Sequence, residues 1–102
     1  MARYMKLTRG LFKKQKFIVL KARGGFIVYN SAKLWENGHT HVQTLKICRT
    51  IVDLALSEKI PKSNDIWLLE SILRITSTSQ KSYRRKLIQT IDSLKLNKSN
   101  KL

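Results

Sequence analysis

Two apolar runs in the first third of the chain predict a β-hairpin. Residues 17–20 and 26–29 are β-branched, aliphatic and aromatic, a composition typical of strands. Gly24-Gly25 lies just before the second run, and glycine supplies the positive φ that tight hairpin turns need. Because both runs are apolar on both faces and an isolated hairpin is only marginally stable, we expect a third strand around residues 4–7 or a covering helix.

The segment after the hairpin supports two interpretations. Asn37-Gly38 could turn a second hairpin between Leu34-Trp35 and residues 40–42. Thr40 and Gln43 instead match a capping box, in which each side chain bonds the backbone amide of the other residue. The polar and apolar positions that follow repeat with a helical period. We therefore favour a helix that begins at Thr40, with Asn37-Gly38 as the bend entering it.

Two further helices complete the predicted fold. Pro61 should end the first helix, and Ser63 is the expected N-cap of a second helix over residues 66–75, with Asp65 near its positive dipole end. A third helix is expected from about residue 80 to 94. Its inward positions are Tyr83, Leu87, Ile91 and Leu94.

The prediction is a single basic α+β domain over residues 1–96. It consists of an N-terminal β-hairpin or small antiparallel sheet packed against three helices. Residues 1–16 are expected to form a basic N-terminal arm, and residues 97–102 a frayed C-terminal tail.

The formal net charge of +15 over 102 residues is concentrated at the two ends. Residues 1–23 hold eight basic residues and no acid, and residues 78–102 hold seven against the single acid Asp92. This excess exceeds the roughly 2–8 charges that solubility asks of a small domain, and it predicts binding to a polyanion. The charge does not distinguish RNA from DNA; we favour RNA as the ligand. The candidate contacts are Arg3, Lys6, Arg9, Lys13, Lys14, Lys16, Lys81, Arg84, Arg85 and Lys86.

Composition also bears on the compartment. The single cysteine, Cys48, excludes an intramolecular disulfide framework, and the default expectation is cytoplasmic. No apolar run approaches the roughly 20 residues that span a bilayer. We therefore expect no membrane partner, and we expect no cofactor.

Aromatic side chains near the basic residues could stack on unpaired bases. The candidates are Tyr4, Phe12, Phe17, Tyr29 and Trp35. The competing interpretation, which we favour for Phe17 and Tyr29, is that they belong to the core. Trp67 could anchor a partner protein or be partly buried in the core.

The third predicted helix follows a short turn, as the recognition helix of a helix-turn-helix motif does. Gln80, Lys81, Ser82, Arg84 and Arg85 would then reach the major groove. The helix before it is nearly all apolar and no glycine lies in the turn, so we favour a helix that contacts phosphates.

His39, Thr40 and His41 are the one cluster with catalytic residue types. At a helix start they could contact a phosphate through the free amides, or the two imidazoles could act as acid and base. Two-histidine phosphoesterases need the His-x-Thr/Ser element twice, and it occurs once here. A zinc site of His41 and Cys48 lacks a third soft ligand. We therefore expect no enzyme.

A resemblance adds a second functional hypothesis. Residues 25–30, the Gly-His-Thr-His element at residues 38–41, Ile60-Pro61 and residues 67–75 resemble small proteins of phages and mobile elements of Gram-positive bacteria. The resemblance implies an accessory or counter-defence protein, such as an anti-CRISPR inhibitor of an RNA-guided nuclease. A basic inhibitor of this kind would bind guide RNA or an acidic protein face.

Overall fold

The predicted hairpin forms the centre of an antiparallel sheet. A computed structural model describes residues 10–62 and 65–100 of the chain. Over these residues the sheet has four strands in the spatial order of the chain, and its packing against helices confirms the α+β prediction. The strands are β1 (Gly10–Lys14), β2 (Phe17–Ala22), β3 (Gly25–Asn30) and β4 (His39–Val42). β1 lies within the expected N-terminal arm, whereas the third strand expected at residues 4–7 lies outside the described residues.

Tight turns set the register of the sheet. Gly24 has a φ of 77° between β2 and β3, a left-handed conformation that costs glycine little, and Ala22 pairs with Gly25 across that turn. This register places Val19 opposite Val28, and both belong to the core between sheet and helices. Side chains alternate along a strand, so neighbouring residues point to the other face, which we call the outer face.

The predicted capping box at Thr40 is wrong. Thr40 lies in β4, opposite Val28, and the helix begins at Leu45 with Thr44 as its N-cap, whose Oγ1 accepts from the Ile47 amide at 3.2 Å. Pairing residues 39–42 with β3 satisfies a row of backbone groups that a helix start would leave open. The hydrogen bonds gained by pairing with β3 outweigh those that the predicted capping box would form.

The alternative hairpin is wrong in its partner strand. Residues 40–42 do belong to a strand, but that strand pairs with β3. Leu34 precedes a single-turn helix, α1 (Trp35–Gly38), instead of ending a strand. The connection between β3 and β4 is therefore longer than a two-residue Asn-Gly turn, because β3 ends at Asn30 and β4 begins at His39.

Three longer helices are α2 (Leu45–Ser57), α3 (Ile66–Ile75) and α4 (Lys81–Asn100). α2 ends before Pro61, at a left-handed Glu58 whose amide donates to the Leu54 carbonyl. Asp65 is the N-cap of α3, its carboxylate accepting from the Leu68 amide, whereas the expected cap Ser63 lies outside the described residues. α4 continues through residues 97–100, which we had assigned to the tail.

The core lies between the sheet and the helices. α2 and α3 pack on the sheet, and α4 packs on α3. The predicted inward positions of α4 are correct: Tyr83, Leu87 and Ile91 belong to the core and Leu94 packs against it. Fully buried side chains such as Ile72 and Leu87 each stabilise the fold by about 1.5–3 kcal/mol through burial.

Candidate nucleic-acid interface

Some basic residues of both basic segments lie toward one end of the molecule, whereas Lys21 and Arg23 of the first segment lie at the far end of β2. The backbone amide and the hydroxyl of Ser31 both donate to the carbonyl of Lys16 at 2.8 Å, in the β1–β2 turn. The neighbouring Asn30 side chain donates to Ser77 Oγ at 2.9 Å, four residues before α4 begins at Lys81. We call this region the basic end, defined by Lys13, Lys14, Lys16, Lys33, Lys81, Arg84 and Arg85.

Two of these cations hold the C-terminus of α3. Lys33 Nζ donates to the carbonyls of Arg74 at 3.0 Å and Thr76 at 3.1 Å. Arg84 Nη1 donates to the Leu73 carbonyl at 3.0 Å and to Thr76 Oγ1 at 2.8 Å. The last carbonyls of a helix lack internal partners and carry its negative dipole end, so both cations stabilise the fold. Burial, then Arg84 and Arg74, lower the pKa of Lys33.

Two of the five side chains that the helix-turn-helix interpretation assigns to base contacts are hydrogen-bonded within the fold. Gln80 Nε2 donates to the Ala55 carbonyl at 3.0 Å and to Glu58 at 3.1 Å, and its Oε1 accepts from the Ser77 amide at 3.0 Å. Arg84 is half-buried at the α3 end. Neither side chain is free to enter a groove.

The other predicted basic contacts differ in accessibility. Four of them are exposed: Lys13, Lys81, Arg85 and Lys86. Lys81 and Arg85 also line a shallow groove with Ile88. Lys14 is exposed but forms an ion pair with Asp53 at 2.8 Å. Arg3, Lys6 and Arg9 lie outside the described residues.

His39, Thr40 and His41 lie in strand β4. Successive side chains of a strand point to opposite faces, so Thr40 points away from the two histidines. Thr40 points toward α3, is 8% exposed and donates to Ser71 Oγ at 3.3 Å. His39 and His41 point to the outer face by strand alternation. The helix start on which that phosphate contact was based lies at Leu45 instead, and a phosphate contact by the two histidines stays a prediction. The zinc pairing of His41 with Cys48 fails, because Cys48 is fully buried on the helix side.

Four aromatic rings follow one another along the outer face. Tyr29 and Trp35 have ring centroids 5.1 Å apart, Trp35 stacks on His39 at 4.1 Å and 8°, and His39 meets His41 edge-on at 5.3 Å. His39 Nδ1 is hydrogen-bonded to the Trp35 carbonyl. We call these residues the aromatic row. Of the other predicted stacking residues, Phe17 is fully buried, Phe12 lies in β1 and Tyr4 lies outside the described residues.

A cleft of about 570 Å³ lies at the opposite end of the sheet. The β2–β3 turn, the end of β4, the start of α2 and the start of α3 form it. Its lining includes Arg23, Phe26, His41, Gln43, Ile47, Asp65 and Trp67. The sequence did not predict this cleft, because its walls come from four segments; the single available signal was a tryptophan beside a helix start.

Comparisons with known proteins assign no family. Protein-family models, curated proteins and solved structures give no match to the chain. Over the described residues, none of the helices combines the length and apolarity needed to cross a bilayer. Any function must therefore be argued from the geometry above.

Proposed function

We propose that the protein is a non-enzymatic nucleic-acid-binding module, with single-stranded RNA as its favoured ligand. The observation that carries the proposal is the basic end, where the β1–β2 turn and the segment leading into α4 both contact the residues that end β3. Phosphate binding by grouped Lys and Arg releases condensed counterions and so provides affinity without sequence choice. Lys13, Lys81 and Arg85 present exposed charge there.

The placement of three of the six acidic residues supports the proposal, whereas Glu36 is exposed beside Trp35. Asp65 caps α3, Glu70 pairs with Lys95 at 3.2 Å, and Glu58 accepts from Gln80 at 3.1 Å. These carboxylates serve the fold, and none of the three lies on the outer face of the sheet. The middle of the outer face is covered, because Leu20 and Ile27 are fully buried there. A phosphate backbone approaching its β4 edge, where His41 is exposed, would meet little repulsion from these three carboxylates.

The aromatic row favours a single strand over a duplex. Stacking on aromatic side chains needs unpaired bases, and RNA is mostly recognised through such exposed bases. Within the row Trp35 already stacks on His39, and His41 is the exposed ring that a base could contact. A duplex would offer this face only its backbone.

The proposal places the protein in the cytoplasm, where the single thiol of Cys48 stays reduced. The resemblance to phage and mobile-element proteins supplies the alternative, an inhibitor directed at a nucleoprotein enzyme. Such an inhibitor would bind its protein target and would bind free nucleic acid weakly.

Binding to labelled twelve-nucleotide single strands of RNA and DNA, and to a duplex, tests the proposal. We expect the RNA strand to bind most tightly, with log K falling against log salt by about 0.7 per phosphate contact. The double variant Lys81→Gln/Arg85→Gln should weaken binding and reduce that slope by about 1.4.

The charge-matched control is Lys59→Gln/Lys62→Gln, which removes two exposed lysines from the α2–α3 connection. It should change binding less than the double variant at the basic end. An equal loss in both variants would remove the basic end as the interface. Absence of binding to all three ligands at about 50 mM salt would sink the proposal and leave the protein-directed alternative.

A further inference from the structure

We propose that the cleft binds one unpaired nucleobase of the strand, stacked on Trp67, with the adjacent phosphate on Arg23. This inference rests on the proposed function and assigns a second, base-contacting site to it. The volume of about 570 Å³ lies within the range of roughly 300–1,000 Å³ typical of small-molecule pockets. A nucleobase with its sugar is a ligand of that class.

Trp67 provides a stacking surface that the fold holds in place. Its side chain is 44% exposed in the first turn of α3. Asp65 caps that turn, and Leu69 is fully buried in the core two residues later. The indole is therefore fixed to a packed helix, which lowers the entropy lost when a base stacks on it.

The polar side chains of the cleft include Arg23, Gln43 and Asp65, whose carboxylate accepts from the Leu68 amide as the N-cap of α3. Arg23 is exposed at the rim, and its guanidinium is planar, permanently charged and suited to phosphate. Gln43 is exposed on the other wall, and its amide can both donate to and accept from a base edge. The cleft therefore offers stacking, phosphate binding and edge contacts together.

Close backbone packing shapes the cleft wall between Arg23 and Gln43. A Cβ built on Gly25 would lie 2.6 Å from the Val42 carbonyl oxygen, so the β2–β3 turn contacts the end of β4 directly. The same turn is fixed by the left-handed Gly24. Arg23 is thus presented from a constrained turn instead of a loose loop.

The cleft continues the aromatic row. His41 belongs to both, as the last ring of the row and as a lining residue of the cleft. β3 runs from Gly25 at the cleft to Asn30 at the basic end, which is about 17 Å for five residue steps. A strand held by its phosphates at the basic end can follow the row and place a base in the cleft.

Tryptophan fluorescence tests this directly, because the chain has two tryptophans and Trp35→Phe leaves Trp67 as the sole emitter. We expect a twelve-nucleotide oligouridine to quench Trp67 emission, and the same oligomer with abasic sites to bind without that quenching. Trp67→Ala should weaken oligouridine binding about tenfold or more, with Trp67→Phe restoring most of the affinity. Arg23→Gln should reduce the salt slope by about 0.7.

The matched control is Leu34→Ala, which removes a large apolar side chain, 71% exposed, away from the cleft. It should leave binding unchanged, and circular dichroism should show that every variant is folded. Salt-dependent binding that is indifferent to Trp67 and to the presence of bases overturns this inference alone. Absence of any binding by the wild-type protein overturns both this inference and the proposed function.

Discussion

The side-chain amide of Asn30 donates a 2.8 Å hydrogen bond to the carbonyl oxygen of Ile75, 45 residues further along the chain. The same nitrogen reaches Ser77 Oγ at 2.9 Å, and Asn30 Oδ1 accepts from the Ala32 amide at 2.9 Å. Asn30 is fully buried, and a buried polar group needs such partners. This side chain therefore joins β3 to the end of α3 and supports the basic end.

Asn30→Ala should lower the free energy of unfolding by about 3 kcal/mol, because it leaves several buried polar groups without a partner. Urea denaturation monitored by circular dichroism measures the change. Asn37→Ala, at an exposed position, is the control and should cost less than about 0.5 kcal/mol. Similar losses in the two variants would contradict the role assigned to Asn30.

Two neighbouring arginines should separate stability from binding. Arg84→Met removes the cation at the C-terminus of α3 while keeping an apolar stem, and should cost about 1–2 kcal/mol. Arg85→Met, at an exposed position, should stay within about 0.5 kcal/mol and weaken RNA binding instead. Denaturation and RNA titration of both variants check this. If Arg85→Met destabilises the fold as much as Arg84→Met, the assignment of Arg84 as the structural arginine is wrong.

The sequence predicted those elements that local periodicity determines. The body of α3 and the inward residues of α4 follow from apolar spacing alone, because each face is set by residues three or four positions apart. The helix start at Thr40 was wrong because the unpaired edge of β3 is a distant feature that no local motif records. The charge of the basic end was predictable, but its assembly depends on Asn30 and Lys33, whose partners on the α3 end lie 41 to 45 residues away.

Substitutions of two threonines, Thr44 and Thr40, test where α2 begins. Thr44→Ala should cost about 1 kcal/mol, since Thr44 is the N-cap of α2. Thr40→Val keeps the β-branched shape in β4 and removes a 3.3 Å bond to Ser71, so its cost arises from the Ser71 hydroxyl and not from the helix start. Far-ultraviolet circular dichroism should show helix loss on heating at a lower temperature for Thr44→Ala. Full stability of Thr44→Ala would contradict this N-cap.

Cys48 should be unreactive in the folded protein. Burial raises the pKa of its thiol to about 11, and the thiolate is the reactive form. A chromogenic aromatic disulfide at pH 8 should modify the native protein slowly and the denatured protein rapidly. Equal rates in the two states would place Cys48 outside the core.

His41 should make the fold less stable in mild acid. Partial desolvation of the imidazole first, then His39 and Arg74, lower the pKa of His41 below its usual 6.5, although the side chain as a whole is exposed. Between that value and the lower folded pKa, the unfolded chain binds more protons, so the free energy of unfolding falls as the pH falls through this window. His41→Gln removes the effect, and the carboxylates and other groups common to both proteins cancel in the difference. Urea denaturation at pH 7 and pH 5 should therefore show a smaller loss for His41→Gln than for the wild type. A larger loss in the variant would mean that the folded protein favours protonated His41, as it would if an acidic group faced that imidazole.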